Sequence, residues 1–442
     1  MKTPRECFGG RMAVIMAFAG SAIGLGNIWR FPYLLGENGG AAFILIYVAF
    51  TLLLSLPIFL AESVIGRSSQ ANCRAAVGFL VPGKAGHLFG LLMVVTPLWI
   101  LSYYSVVGGW SLDYFLQAVQ LRFIRATPEM ISGGFARFIA SPWVPVACHL
   151  AFLGVSVGVV VSGVKGGIER FCKWSIPTLF ILIVLIAVYS LSLPGAMKGV
   201  EYLVKPDFSK VTAHTFIDAL GQSFFSLSLG TGIIITYSSY IKKSENLVAA
   251  GVGTALSDLF FAILAGFAII PAVFSAGIAP GTGPTLLFDT LPYIFSHLGQ
   301  SAPVLSAVAA IIFFAAIFLA ALTSSISLLE VGVTYLTEEK GMKRGWACAL
   351  LFAVCAVAGT LCCFSTSVFD FADSAASNVL MVLGSLLSVI LAGWVMPRQA
   401  LFRELTNGGA LRGNARIFTV MRILIRYVAP VGILVLVLSS VL

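Results

Sequence analysis

Long apolar segments recur along the whole chain, and they constrain its fold more than any other feature. Hydrophobic residues make up 59% of the 442 residues, and charged residues only 10%. The resulting mean hydropathy is far too positive for a soluble domain of this length, so lipid must surround most of the chain. We count eleven segments that are long enough to cross a bilayer as helices. The sequence therefore predicts an all-α membrane protein with eleven transmembrane helices.

These segments run over 12–35, 41–65, 88–121, 143–161, 167–193, 216–241, 247–278, 304–335, 346–361, 368–396 and 418–442. An odd number of spans places the two termini on opposite faces. With the N-terminus inside, twenty of the 27 Lys and Arg residues fall inside, six fall outside and Arg30 lies within a span. Basic residues favour the cytoplasmic side. We therefore predict a multi-pass protein of the cell inner (plasma) membrane, with a cytoplasmic N-terminus, an external C-terminus and no nucleic-acid partner.

The first segment has the composition of a membrane helix that breaks. Gly20, Gly24 and Gly26 fall within seven residues, and Asn27 and Pro32 follow them. Such a stretch exposes backbone N–H and C=O groups, which hydrocarbon tolerates only where protein or a water-filled cavity pairs them. We expect the break to line a site. A kinked packing helix is the alternative, since glycine is common in membrane helices.

A second break is predicted in segment six, where Gly230 and Gly232 interrupt the apolar run GQSFFSLSLGTG. The two interrupted segments lie five spans apart, which is typical of secondary transporters built from two inverted repeats, with the binding site where the breaks meet. The fold class predicted is a five-plus-five inverted-repeat transporter with broken helices 1 and 6. It forms one domain over 1–442, with repeats at about 11–193 and 214–398 and an extra helix at about 414–442.

Three motifs resemble the neurotransmitter:sodium symporters, the family that includes the bacterial leucine transporter. They are GSAIGLGNIWRFPY in segment one, GQSFFSLSLGTG in segment six and ALTSSISLLE in segment eight. The resemblance covers essentially the whole chain, and eleven spans resemble the bacterial branch that lacks a twelfth helix. It implies sodium-coupled import of a neutral amino acid by alternating access.

The resemblance further implies two Na+ sites built from carbonyl, amide, hydroxyl and carboxylate oxygens. The first consists of the Ala22 carbonyl and the side chains of Asn27, Ser226 and Asp258, completed by the carboxylate of the substrate. The second consists of the carbonyls of Gly20, Ile23 and Ala320 and the hydroxyls of Thr323 and Ser324. Without the resemblance, hydrogen bonding between membrane helices would explain these hydroxyls equally well.

Asp258 departs from many animal members of the family, which have Asn here and recruit chloride. A carboxylate at this position supplies a negative charge directly, so we predict that no chloride is needed. Glu62 is a second acid within a span, and we expect it to accept hydrogen bonds from the broken backbone.

The residues expected around the substrate come from both breaks and from segments three and eight. They are Ala22, Leu25, Gly26, Ile100, Tyr104, Phe225, Ser226, Ser228, Thr231, Ser324 and Leu328. The N–H groups of Leu25 and Gly26, with the Tyr104 hydroxyl, would hold the substrate carboxylate. The pocket is mainly apolar, and Thr231 stands where a bulky Phe or Met is common. An aromatic or large aliphatic side chain is therefore favoured.

Two gates are implied by the same resemblance. Arg30 and Asp373 match the outer ion pair, and Arg5 and Glu338 match the inner pair beside Tyr240. Phe8 replaces a Trp found in many members, which suggests a looser inner latch.

Gly167 and Pro177 reproduce a pattern of glycine, nine residues and proline in segment five. Local unwinding there would let water reach the second sodium site, and a structural kink explains the pattern equally well.

Three other functions compete with sodium symport. A sodium-independent amino-acid exchanger of the same fold fits all but the sodium residues. An intramembrane enzyme would need a nucleophile with a base or a metal cluster, and the sequence shows neither, so we predict no enzymatic activity. An ion channel would not need an amino-acid pocket with two gates. The sequence leaves open whether the protein is a monomer or a dimer.

Overall fold

The structure, a computed structural model, describes residues 6–131, 133–278 and 286–441. All regular secondary structure within these ranges is helical. This confirms the all-α fold, which follows from the solvent: in hydrocarbon a helix pairs its own backbone groups, whereas an open strand leaves them unpaired.

The first span consists of two helices, α1 (Arg11–Ala22) and α2 (Gly26–Glu37), which meet at an angle of 56°. Ile23 ends α1 in an extended conformation, with φ of −75° and ψ of 101°. The bend therefore lies at the glycines of the first motif, in the middle of the apolar stretch.

The remaining long helices follow in chain order. They are α3 (Ala41–Ser69), α4 (Lys84–Val119), α5 (Trp143–Val161), α6 (Val164–Leu191), α7 (Ala213–Ser226), α8 (Ile233–Ser238), α9 (Leu247–Ser275), α10 (Pro303–Glu339), α11 (Arg344–Phe364), α12 (Thr366–Val395) and α13 (Arg412–Leu438). Shorter helices connect them at Cys73–Leu80, Arg122–Arg125, Pro128–Ile131, Gly134–Ala140, Ala196–Val204, Thr290–Gly299 and Arg398–Thr406.

Within the described ranges, nine of these helices are each long and apolar enough to cross a membrane, and the bent pair α1 and α2 makes ten. Segment six corresponds to α7 and α8, which are too short to be counted singly. The eleventh span thus stays a prediction. Helix α13 begins at Arg412, six residues before the predicted start. The prediction counted only the apolar part of this helix, whereas its first turns carry arginines.

Residues 227–232 separate α7 from α8 and form the second interruption. Ser228 has a φ of 55°, and Gly230 and Gly232 each have a φ of 74°. The two glycines adopt this left-handed conformation without the steric penalty that a Cβ would bring. They allow one helix to end and another to begin within six residues.

Buried polar side chains lie inside the bundle, while large apolar side chains occupy both its interior and its outer surface. Helix α4 packs along α10 and α5, while α1 contacts α6, α9 and α10. Phe260 is 59% exposed on α9 although it is apolar, whereas Asp258, two residues earlier, is fully buried. This arrangement is expected where lipid is the solvent and polar groups mark the interior of a helix bundle.

The backbone of helix α12 lies in direct contact with the backbone of the second break. A Cβ placed on Gly384 would lie 2.8 Å from the carbonyl carbon of Gly230 and 2.9 Å from its Cα. Real Cβ atoms need more room, so only glycine fits where the two segments touch. Gly384 therefore fixes the distance between α12 and the break.

We predict that Gly384→Ala lowers the apparent Tm of the purified protein, because overpacking costs about 1–3 kcal/mol. Gly158→Ala in α5 is the matched control, since nothing lies within 4 Å of a Cβ at that position and alanine favours helix. Thermal unfolding in detergent compares them. Equal Tm values for the two variants would contradict the close approach.

Candidate functional site

A small cavity lies between the two breaks, near the centre of the bundle. Its walls include all eleven residues expected around the substrate, together with Ser21, Gly24, Ile233 and Met381. Its volume is about 40 Å³, far below the roughly 300–1,000 Å³ of typical ligand pockets. The structure thus brings the predicted residues together, and a larger ligand requires the walls to move.

Asp258 lies beside this cavity and is fully buried. Its Oδ1 accepts hydrogen bonds from the Asn27 amide at 2.7 Å and from the Ser226 hydroxyl at 2.8 Å. Its Oδ2 lies 2.8 Å from the same Ser226 hydroxyl and 3.3 Å from the Tyr47 hydroxyl. All these donors are neutral, and no ion pair among the described residues involves Asp258. Burying a carboxylate in this way is costly unless a cation compensates it.

Asn27 also ties this cluster to the first break. Its side-chain oxygen accepts a hydrogen bond from the Gly24 N–H at 3.1 Å. One residue later in the chain, the Leu25 N–H points towards the Tyr104 hydroxyl of α4 at 3.5 Å. The amide of Asn27 therefore connects the unwound backbone directly to the buried carboxylate of Asp258.

Hydroxyl groups of α10 approach the first break from the other side. The Thr323 hydroxyl lies 3.4 Å from the Ile23 carbonyl and 2.9 Å from the Ala320 carbonyl. Ser324 donates to the Ser21 carbonyl at 3.3 Å. Thr323 and Ser324 thus join α10 to the end of α1 and the first break, and the Ile23 and Ala320 carbonyls both contact the Thr323 hydroxyl. Gly20, the fifth residue predicted for the second sodium site, is buried in α1, where a Cβ would meet the Cys172 sulfur.

The second break is held by a buried acid. Glu62 of α3 is fully buried, and its Oε1 accepts a hydrogen bond from the Gly230 N–H at 2.7 Å. Ser228 donates to the Ser21 carbonyl at 3.0 Å, which joins the two breaks to each other. The expected contact between Glu62 and the broken backbone is present.

A vestibule of about 540 Å³ opens from the cavity towards the face opposite the N-terminus. Leu25, Gly26, Tyr104 and Phe225 contribute to the walls of both spaces and so separate them.

Arg30 and Asp373 both line this vestibule. The Arg30 guanidinium lies over the Phe225 ring, 5.3 Å from its centroid. The ion pairs between described residues do not include Arg30 with Asp373. The predicted outer pair is thus separated in this structure, while the Phe225 ring covers the cavity.

The opposite end of the site is filled by aromatic side chains. Phe8 is buried and packs edge-on against Tyr237 and Tyr240, with each ring centroid 5.8 Å away. Its N–H donates to the Tyr240 carbonyl at 3.0 Å. Phe8 therefore fills this end together with the two tyrosines, at the position where a looser latch was expected.

The predicted inner ion pair is only half described. Glu338 accepts hydrogen bonds from the backbone and side-chain nitrogens of Asn72, at 2.9 and 3.1 Å. Its expected partner Arg5 lies outside the described residues. The Tyr240 hydroxyl, predicted to stand beside that pair, lies 2.8 Å from the Glu330 carboxylate.

Gly167 lies in the first, wide turn of α6, and Pro177 lies within the same helix. The segment between them is helical in this structure. Its predicted unwinding remains a prediction.

Sequence reasoning missed several residues of the site. Ser21 and Gly24 lie inside the first motif and could have been found there. Tyr47, which reaches Asp258, carries a hydroxyl in an otherwise apolar stretch of α3, and that was its only signal. The buried Ser21 hydroxyl has no hydrogen-bond partner among the described residues, so it is available to a ligand. Met381 carries no sequence signal, because only the packing of α12 brings it to the cavity.

Comparisons with known proteins agree with this architecture. The model of the sodium:neurotransmitter symporter family matches residues 5–129 and 123–442. The uncharacterized sodium-dependent transporter YhdH of Bacillus subtilis (strain 168) is 38% identical, over 98% of this chain and 96% of YhdH. An uncharacterized sodium-dependent transporter of Haemophilus influenzae is 36% identical, over 99% of this chain and 98% of its own length.

Among solved structures, the crystal structure of MhsT in complex with L-phenylalanine is similar over 99% of this chain and 100% of the MhsT chain. The TM-score is 0.89 and the sequence identity 37%. The chain thus has the fold of MhsT, and the resemblance drawn from the three motifs is confirmed.

We predict that Glu62→Leu lowers the apparent Tm, because it leaves the buried Gly230 N–H without an acceptor, which costs about 1–3 kcal/mol. Glu62→Gln is the matched control, since its amide oxygen can still accept that hydrogen bond. Thermal unfolding of the purified variants measures the difference. A loss as large in Glu62→Gln as in Glu62→Leu would show that the charge, and not the hydrogen bond, matters.

Proposed function

This chain belongs to the sodium:neurotransmitter symporter family, and from that premise we propose that it imports a neutral, hydrophobic amino acid together with sodium by alternating access, without chloride. The observation that carries the proposal is the buried Asp258 carboxylate. It lies at the broken helices, next to an apolar cavity, and only neutral groups donate to it. A sodium ion would supply the positive charge that this environment lacks.

The first sodium ion would bind at Asp258, Asn27 and Ser226, with the Ala22 carbonyl. These groups are hard oxygen ligands, which suit an alkali cation, and unwound backbone supplies such ligands in other transporters. The carboxylate of a bound amino acid would complete the shell. Sharing that carboxylate between ion and substrate would couple their binding.

The second sodium ion would bind between α1 and α10. The Thr323 hydroxyl and the carbonyls of Ile23 and Ala320 already approach one another, and Ser324 and Gly20 flank them. The hydrogen bonds of 3.3 and 3.4 Å across this junction are long and therefore weak. An ion at this junction would replace them with stronger contacts and would hold the break against α10.

The amino acid would bind in the cavity between the breaks. Its carboxylate would face the N-terminus of α2 at Leu25 and Gly26, where the helix dipole favours negative charge. Its side chain would face Ile100, Ile233 and Leu328, which offer no charged partner. The structural similarity to MhsT, solved with L-phenylalanine, supports a large hydrophobic substrate.

The two ends of the site suggest how access alternates. Phe8 and its tyrosines fill the end near the N-terminus, while the vestibule reaches Phe225 from the other end. Closing the separated pair of Arg30 and Asp373 would seal the vestibule over the Phe225 lid. Release to the cytoplasm would then require Phe8 and the inner pair of Arg5 and Glu338 to part.

We predict that proteoliposomes containing the protein take up labelled L-phenylalanine or L-leucine when an inward sodium gradient is applied. The variants Asn27→Ala and Ser324→Ala should lose at least about tenfold of this uptake, since losing about 1.4 kcal/mol of ion binding gives that factor. Ser192→Ala, at the exposed end of α6, is the control variant. Uptake that is indifferent to sodium would instead indicate an exchanger of the same fold.

A second prediction concerns chloride. Wild-type uptake should survive chloride removal, whereas Asp258→Asn should need chloride, with uptake at least about tenfold lower in chloride-free buffer than in chloride. The reason is that the variant lacks the fixed negative charge beside the first sodium ion. Asp218→Asn, at the outer end of α7, is the matched control. Wild-type uptake that stops without chloride would refute the proposal that Asp258 replaces the anion.

A further inference from the structure

Met381 is the residue through which α12 reaches the cavity. The other wall residues belong to the two breaks and their helices, to α4 and to α10. We propose that Met381 is an adjustable end wall that determines which substrate side chains fit. This inference rests on the proposed amino-acid transport and concerns its substrate range.

The local shape of α12 directs Met381 into the cavity. The helix widens into a π-turn at Ala376–Leu380, directly before Met381. Such turns re-aim the residues around them and are frequent at functional sites. Asp373 and Ser377 on this face line the vestibule, and Gly384 on the same face touches the second break. One face of α12 thus runs from the vestibule, past the cavity, to the break.

The backbone of α12 lies directly against the backbone of the second break. A Cβ placed on Gly230 would lie 2.7 Å from the Ser385 nitrogen and 2.8 Å from the Met381 carbonyl carbon. Gly384 meets the Gly230 backbone from the other side. Because this contact is backbone against backbone, the side chain of Met381 is the part of this wall that can move.

The neighbouring wall residues are less adaptable. Ile100 and Ile233 are β-branched and stiff at χ1. Thr231 is small, and its hydroxyl turns back to the Ser228 carbonyl at 2.7 Å, so it leaves space without adding a polar contact. Met381 is unbranched, with three rotatable bonds and a polarizable sulfur, and such side chains fill irregular gaps.

A cavity of about 40 Å³ must enlarge before it admits a hydrophobic side chain. The Phe225 lid lies on the side of the vestibule, where substrate enters, so its movement opens the path and not the far wall. Reorientation of Met381 provides space inside the pocket. Proteins that bind several apolar partners use methionine in this way. The expected substrates are therefore amino acids with aliphatic or aromatic side chains. The residue at position 381 sets the largest side chain that fits.

The test measures binding of four probes to the purified full-length protein in saturating sodium: L-valine, L-leucine, L-phenylalanine and L-tryptophan. In Met381→Ala we expect the ratio of affinities for tryptophan over valine to rise at least about tenfold, and in Met381→Phe to fall by a similar factor. One methylene in a hydrophobic pocket is worth about tenfold or more. Met381→Leu keeps the side-chain volume and should fold even if Met381→Ala does not.

Leu383→Ala is the matched control, because Leu383 lies on the same helix and is 43% exposed on the outer surface. It should leave the ratio unchanged. Ratios within about twofold of wild type in both Met381→Ala and Met381→Phe, with the wild type binding all four amino acids, would overturn the inference alone. A wild-type protein that binds none of them in sodium would refute the proposed function itself.

Discussion

The structure depends on one constraint: backbone groups freed by two broken helices must be paired inside a core that water does not fill. Each break meets this requirement with a polar side chain, from within the same segment in the first break and from a distant helix in the second. The Asn27 amide oxygen accepts from Gly24 in the first break, and Glu62 accepts from Gly230 in the second. Since the groups that complete the breaks are polar and buried, the middle of the bundle becomes a place where an ion or a zwitterion is better solvated than in the surrounding lipid.

This constraint explains why the positions of the breaks could be predicted from the sequence. Glycines clustered within an apolar run have few explanations other than irregular backbone, and two such clusters five spans apart suggested one site. The structure places Gly230 and Gly232 in left-handed conformations and bends the first span by 56°. Local composition carried this information, because glycine is needed wherever the chain turns sharply at that depth.

Other parts of the site depend on packing between distant helices, which local composition does not encode. Tyr47 reaches Asp258 across 211 positions of the chain, and a single hydroxyl in α3 gave little sign of it. Met381 looks like any apolar residue of a membrane helix. The separation of Arg30 from Asp373 is a property of one conformation. The sequence identifies the two residues but does not specify in which conformation they are apart.

The placement of Met381 has a consequence for how such a protein changes over evolutionary time. It is not among the residues proposed for either sodium ion, and the Gly384 contact holds its backbone independently of its side chain. Under the proposed role of Met381, a single codon change there would alter the shape of the pocket while the oxygens proposed for the two sodium ions stay in place. Descendants of one ancestral gene would then change substrate by point mutation, without rebuilding the residues proposed to bind sodium.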